Sequence, residues 1–160
     1  MIGIMADSHD NLTAIKRAVS LFKDAGCNLI VHAGDFVAPF AARELAQAGC
    51  PVKAVFGNCD GERKGLAVAI QPFGEIREAP FVFKYNNINV LVAHLNAPVQ
   101  SYATGKKRDL IIFGHTHEAE TRMIGSTLIV NPGETGGWLS GKSTIALFDP
   151  ETRDVRIIAF

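Results

Sequence analysis

"IGIMADSHDNLTAIKRAVSLFKDAGCNLIVHAGD" spans residues 2–35 and sets the architecture of the chain's first half. Its opening apolar run, 2–5, reads as a short buried strand. Leu12, Ile15, Val19 and Phe22 then recur at helical spacing, with Asp10 or Asn11 placed to cap the helix start and Gly26 placed to end it. A second apolar run, 28–32, reads as the next strand. "PFAARELAQA" (39–48) predicts a second helix with Pro39 in its first turn, and "VKAVFG" (52–57) a third strand. A βαβαβ order of this kind implies parallel strands joined by right-handed crossovers.

The second half changes character. "EIREAPFVFKY" (75–85) and "INVLVAH" (88–94) read as strands joined across Asn86 and Asn87, a hairpin composition. A short irregular or helical piece follows around 98–107, then a buried strand, "DLIIFGH" (109–115). Residues 118–124, 126–131, 143–149 and 154–160 also read as strands, separated by "GS", "NPGETGG" and "DPETR" turns. The expectation is one α/β domain over residues 1–160, with two sheets and helices outside.

Bulk properties narrow the function classes. The 16 basic residues balance 16 acidic ones, so there is no strong nucleic-acid signal and no general attraction to an anionic membrane; a local basic patch stays open. Cys27, Cys50 and Cys59 form neither a disulfide framework nor a zinc knuckle. The first apolar run is too short for a signal peptide, and no run approaches the roughly 20 residues that span a bilayer. The chain reads as a reduced, cytoplasmic protein.

Chemistry gathers at the strand ends. Asp7 and His9 follow the first strand, Asp35 the second, Asn58 and Asp60 the third. His94 follows "INVLVA", and His115 and His117 follow "DLIIFG". Parallel strands bring their carboxyl ends to one edge, where ligands bind in open α/β sheets. Asp7, His9, Asp35, Asn58, His94, His115 and His117 are too many for one tetrahedral ion. They fit two ions sharing a carboxylate, and the oxygen and imidazole donors suit Mn, Fe, Zn or Co. Any one of these residues has a plainer reading: a helix cap for Asp7, a turn for Asn58, a hydrogen-bonded side chain for His94 or His115. Five strand ends carrying the same few residue types make coincidence the weaker explanation. "GGWLSGKS" (136–143) matches the phosphate-loop pattern of nucleotide triphosphatases, but that loop must open a helix, and a β-rich segment follows here.

Together, Asp7-x-His9, Gly34-Asp35, Gly57-Asn58-Cys59-Asp60, the lone His94 and Gly114-His115-Thr116-His117 resemble the calcineurin-like metallophosphoesterase family. The resemblance is to its small bacterial and archaeal phosphodiesterase branch, and "NPG" (131–133) follows in order. It implies a four-layer αββα sandwich of two mixed sheets packed face to face. It also implies that Asp7, His9 and His117 hold one metal, Asn58, His94 and His115 the other, and that Asp35 bridges them. Thr116 would point elsewhere. The cofactors implied are two divalent transition-metal ions, Mn first, with Fe, Zn, Ni or Co also suited. Two such cations about 3.5–4 Å apart would clamp a phosphoryl group and supply a bridging hydroxide that attacks phosphorus in line. Asp35, Asn58 and His94 would lie nearest that chemistry, and the substrate would be a small phosphodiester.

Departures from the family pattern bear on the substrate side. Cys59 stands where larger relatives carry a candidate proton-donating histidine, so the leaving-group proton donor is unassigned. Leu95 and Asn96 replace a common Gly and His after His94, and Glu134 a common Ser after "NPG". Asn96, Arg63 and Cys59 are the substrate-side candidates; Arg63 and Lys64 would steer an anion or simply sit in a solvated turn. The rival function is a catalytically silent protein-binding scaffold of the same fold. Exposed strands near the C-terminus could pair between copies into a homo-oligomer.

Overall fold

Strands that bury both faces must alternate between two cores, and the central strands of this protein do so. The computed structural model describes residues 1–105 and 107–160. Strands β1 (Ile2–Met5), β2 (Leu29–His32), β3 (Val52–Val55) and β4 (Gly74–Arg77) run parallel, and β10 (Thr144–Phe148) and β11 (Val155–Ala159) add antiparallel strands beside β1. The resulting order is β11-β10-β1-β2-β3-β4. A second mixed sheet has the order β5-β6-β7-β9-β8, from β5 (Phe81–Tyr85), β6 (Ile88–Val92), β7 (Leu110–Ile112), β8 (Ala119–Ile124) and β9 (Thr127–Pro132).

Ile2, Ile4, Leu29 and Val31 of the first sheet meet Val90, Val92, Leu110 and Ile112 of the second in one buried cluster. The opposite face of the first sheet, with Met5, Ile30 and Ile145, packs on Ile15, Val19 and Phe22 of α1 (Leu12–Asp24). The opposite face of the second, with Leu91, Ile111 and Ile129, packs on Val99 of α4 (Val99–Thr104). This is the expected four-layer α/β sandwich. Side-chain alternation with period two is what lets one strand serve two layers.

The first helix starts as expected, with Asn11 Oδ1 accepting from the Ala14 amide, and Gly26 takes a positive φ just past its end. Three elements differ from the sequence reading. The predicted helix over 39–48 is a single α turn, α2 (Pro39–Ala42), that tightens into a 3-10 turn, Arg43–Ala48. Ala42, Leu45 and Ala48 all face the core, and a three-residue repeat is the 3-10 period. The single strand expected over 75–85 is two: β4 pairs with β3, and β5 starts the other sheet. Pro80 lies at the break and has no N–H to donate to a continuing ladder. A helix not predicted, α3 (Arg63–Ile70), follows β3. Its Gly65 reads as a helix breaker, but a Cβ there would lie 2.7 Å from Pro39 Cγ, so the glycine lets α2 and α3 touch. The helical piece expected around 98–107 is α4; Lys106 lies outside the described residues.

Candidate metal centre

Five loops meet at one edge of the sandwich: those after β1, β2 and β3 of the first sheet and after β6 and β7 of the second. They are stitched by main-chain bonds, with the Asp7 amide donating to Gly34 O (3.0 Å), the His9 amide to Asp35 O (3.1 Å) and the Gly114 amide to His94 O (3.0 Å). Asp7, His9, Asp35, His115 and His117 all have φ between 41° and 70°. That left-handed region costs a non-glycine residue about 1–3 kcal/mol and persists where surroundings over-determine the backbone, as at ligand clamps.

The side chains fall into two groups. His9 and His117 stack with ring centroids 5.3 Å apart, and His117 Nε2 is 3.7 Å from Asp7 Oδ1. His94 and His115 meet edge to face at 5.2 Å, and His94 Nε2 and His115 Nδ1 each lie 2.8 Å from Asn58 Oδ1. One atom faces both groups: Asp35 Oδ2 is 3.7 Å from His9 Nε2 and 3.4 Å from His94 Nε2. A Cβ on Gly57 would collide with Asp35 Oδ1 and the Asp35 amide, so only glycine lets Asp35 take this place.

The carboxyls and imidazoles of the cluster shift one another's protonation. Burial pushes the Asp7 carboxyl up to about 6, against the pull of His94 and His117. Burial also opposes ionisation of Asp35, but His94 and the Cys59 amide outweigh it and hold the carboxyl well below its ordinary value. His94 is raised: burial lowers it, and Asp35 reverses that. His94 Nδ1 donates to Ala33 O at 2.8 Å, which aims Nε2 at Asn58 Oδ1, 2.8 Å away, and at Asp35 Oδ2. His9 Nε2 is buried with no hydrogen-bond partner. Asp7, His9 and His117 could hold one ion by the spacing of their donor atoms, and Asp7, Asp35 and His94 also converge. Carboxylate, amide oxygen and imidazole suit Mn, Fe, Zn or Co, so the residues present fit the group.

A supporting layer holds these donors. Asp60 accepts from the Asp35 amide (3.0 Å), the Val37 amide (2.8 Å) and the Gly57 amide (2.7 Å), tying two loops together. Asn131 donates to Gly114 O and Thr116 Oγ1, so Thr116 turns away from the centre. His32, the histidine outside the cluster, is pushed well below its ordinary pKa by burial; its Nδ1 accepts from the Gly34 amide and its Nε2 meets Ser8 Oγ at 3.0 Å.

The segment that matches a phosphate loop has a different use. Fully buried Glu134 places its carboxylate in the nest of amides from Trp138, Leu139 and Ser140, at 2.7–3.2 Å. An internal anion thus occupies the cradle a phosphate would need, and β10 rather than a helix follows. Glu134 Oε1 also lies 3.2 Å from His117 Nδ1, at an angle short of a straight hydrogen bond. Burial raises this carboxyl, but Ser140, Leu139 and His117 bring it down to about 2. The Trp138 indole donates to His9 O at 3.0 Å, and the Gly136 amide to Asp7 O. Glu134, Asp60, Asn131 and Trp138 were not among the predicted site residues. The only sequence signals were the acidic residue of "GNCD" and the Glu after "NPG".

The substrate-side candidates divide. Cys59 is exposed overall, but its Sγ turns toward Asp35 and His9, where partial loss of solvation and then Asp35 push the thiol up to about 11. Arg63 begins α3 rather than lying in a turn; its Nε donates to Asp60 O, its guanidinium pairs with Glu78 and covers the Phe56 ring. Asn96 is exposed on the loop after His94, and the cleft there is lined by Leu95 instead.

Comparison with known proteins agrees with this geometry. The model of the calcineurin-like phosphoesterase superfamily domain matches residues 1–153. Phosphodiesterase MJ0936 of Methanocaldococcus jannaschii is 32% identical over 161 residues, 98% of this chain and 97% of that protein. A solved structure described as a novel archaeal phosphodiesterase superposes with a TM-score of 0.94 at 30% identity, covering 99% of both chains. Vps29 of Entamoeba histolytica shares the fold at a TM-score of 0.71 and 16% identity, over 99% of this chain and 98% of that one. With the match running from the first strand through the tenth, the chain belongs to the calcineurin-like phosphoesterase superfamily.

Proposed function

We propose that this phosphoesterase is a phosphodiesterase of small phosphodiesters that works at a dinuclear centre of divalent transition-metal ions, with Mn²⁺ the first choice and Fe, Zn, Ni or Co suited to the same donors. The observation that carries the reading is Asp35 Oδ2, which faces His9 on one side and His94 on the other. Asp7, His9 and His117 would hold one ion and Asn58, His94 and His115 the other, with Asp35 shared. Two such ions, when bound, supply Lewis-acid polarisation of the phosphoryl oxygens and activation of water near neutral pH.

The chain's own part is orientation and charge. Ala33 O fixes the His94 ring by accepting from Nδ1, so that Nε2 faces Asp35 and Asn58. Asp7 accepts from the His115 amide and thereby couples the two ligand groups. Asp60 holds the Asp35 backbone where its carboxylate serves both. Preorganised donors of this kind need no reorganisation during the reaction. A catalytically silent scaffold of the same fold has no need of a complete donor set on five loops.

The test is hydrolysis of bis(p-nitrophenyl) phosphate beside p-nitrophenyl phosphate, on protein stripped by chelator and then given Mn²⁺. Diester turnover that needs the metal and is lost in Asp35→Asn, together with metal content, is the expected result. Absence of turnover in wild type with two ions bound per chain would refute the phosphodiesterase reading and leave the scaffold.

A further inference from the structure

Several clefts open among the described residues, and three of them bear on where a substrate would sit. The one between α1 and the 3-10 turn, about 450 Å³ and lined by Lys16, Lys23 and Glu44, touches no residue of the metal centre. The other two flank the centre and share no lining residue. One, about 400 Å³, runs along His115, His117, Glu118 and Leu139. The other, about 310 Å³, opens directly from Asn58 and His94 and is walled by Phe56, Leu95, Pro98 and Tyr102. A volume near 300 Å³ lies at the small end of small-molecule sites.

The chemistry of this last cleft is specific. Two of its walls continue donor loops, Phe56 just before Asn58 and Leu95 just after His94, and the rest come from the start of α3, the segment after β4 and α4. Leu95 is 47% exposed although its neighbour His94 is buried, so an apolar side chain is held out at the rim of a polar site. The one cation at the wall, Arg63, is spoken for: it pairs with Glu78, bonds Asp60 O and lies over the Phe56 ring, 5.2 Å from its centroid. Arg63 and Glu78 pair in charge, so the wall away from the donors offers Phe56, Leu95, Pro98 and Tyr102 beside a neutralised cation rather than a second phosphate site.

We infer that the Phe56–Leu95–Tyr102 cleft is the subsite for one ester arm of the substrate, and that this arm is an uncharged planar ring, a nucleoside base or an aryl group. The assignment rests on the phosphodiesterase reading, because the cleft matters only if phosphorus sits at Asn58 and His94. A diester has two arms and the centre has two flanking clefts; a monoester would leave one of them unused. Apolar and stacking contact with a ring is sequence-tolerant and strong enough to set preference. Phe56 under Arg63 then forms the floor, and Leu95 and Tyr102 the sides.

Equilibrium binding tests this without depending on turnover. Phenyl phosphate and methyl phosphate carry the same charge and differ in the ring, and thymidine 5′-monophosphate presents a base instead. Titrated into Mn²⁺-loaded wild type, phenyl phosphate or thymidine 5′-monophosphate should bind on the order of tenfold tighter than methyl phosphate, and which one leads tells aryl from nucleoside. Leu95→Asp and Tyr102→Ala, compared within each protein, should bring that ratio toward one. Equal affinity of all three ligands in wild type, or an unchanged ratio in both variants, would overturn the subsite. Failure of the parent reading looks different: ring preference in binding with no metal-dependent diester turnover.

Discussion

Replacing Glu134 with glutamine removes one charge from a side chain that touches His117 and three backbone amides at once. Both carboxylate oxygens accept: Oε1 from Trp138 and Leu139, Oε2 from Leu139 and Ser140. Glutamine has the same length but only one acceptor oxygen, so either orientation turns an NH₂ group toward amide donors. One buried N–H is then unsatisfied, which costs about 1–3 kcal/mol. For a chain of this size that is a fall of about 2–4 °C in melting temperature per kcal/mol. The second effect is on His117, whose Nδ1 loses the carboxylate 3.2 Å away. Outer carboxylates orient a ligating imidazole and raise its basicity, and losing one typically costs about 10–100-fold in metal affinity. Calorimetric titration of Mn²⁺ into metal-free Glu134→Gln should therefore show one site weakened by that factor, with the His94 and Asn58 site changed far less. Two sites of wild-type affinity in a variant with the expected lowered melting temperature would refute the link from Glu134 through His117 to the metal.

Other outcomes follow from the same contacts. Lys142→Ala should leave metal-dependent hydrolysis within about twofold of wild type, because the nest beside it is filled by Glu134; a complete loss in a steady-state assay would restore the nucleotide-loop reading. Asp109 accepts from the Asn89 amide (2.8 Å) and side chain and from Arg153, and the Asn89 amide first among these holds its carboxyl below the ordinary range against burial. A lowered folded-state pKa stabilises above the unfolded value near 3.9 and is lost as pH falls through and below it. Asp109→Ala should thus cost about 1–3 kcal/mol at pH 7, and urea melts should show its deficit shrinking toward acid. Finally, Mn²⁺ at about 1,000 times its dissociation constant should stabilise the fold by about 4.1 kcal/mol, read as a rise in melting temperature that chelator reverses. No rise would mean that folded and unfolded chains bind the ion equally.

Much of the site was readable because each donor stands at the end of an apolar run, where strand period and turn residue meet. Asp7, Asp35, Asn58, His94 and His115 are brought together by parallel pairing of β1, β2 and β3 and of β6 and β7, a consequence of the alternating element order. What stayed hidden depends on closure between distant segments. Nothing in "NPGETGGWLSGKS" says that Glu134 folds back into its own loop; the amides that receive it are four to six residues on, and His117 comes from another strand's end. Asp60 reads as a turn residue, yet it serves amides 25 and 23 positions away. The division of 75–85 between two sheets was hidden for a related reason, since local pattern describes a strand's faces and is silent on which sheet it joins.

The supporting layer explains how the donors can be held in a costly arrangement. Five ligand-loop residues sit at positive φ, and two buried carboxylates face each other's histidines, so none of this would persist from local preference. Each strained residue is pinned by a contact made elsewhere. The Asp7 and His9 amides bond the β2 loop, the Asp35 amide bonds Asp60, and the turn carrying His115 and His117 is held at Gly114 O and Thr116 by Asn131. Asn131 belongs to β9, while the β2 loop and Asp60 are themselves donor-loop partners, so the loops hold one another and are anchored where they leave the two-sheet core. The Phe56, Leu95 and Tyr102 cleft adjoins the same loops, through Asn58 and His94. On the proposed function, donors and an apolar wall held by shared contacts would spend binding energy on discriminating substrates instead of on ordering loops.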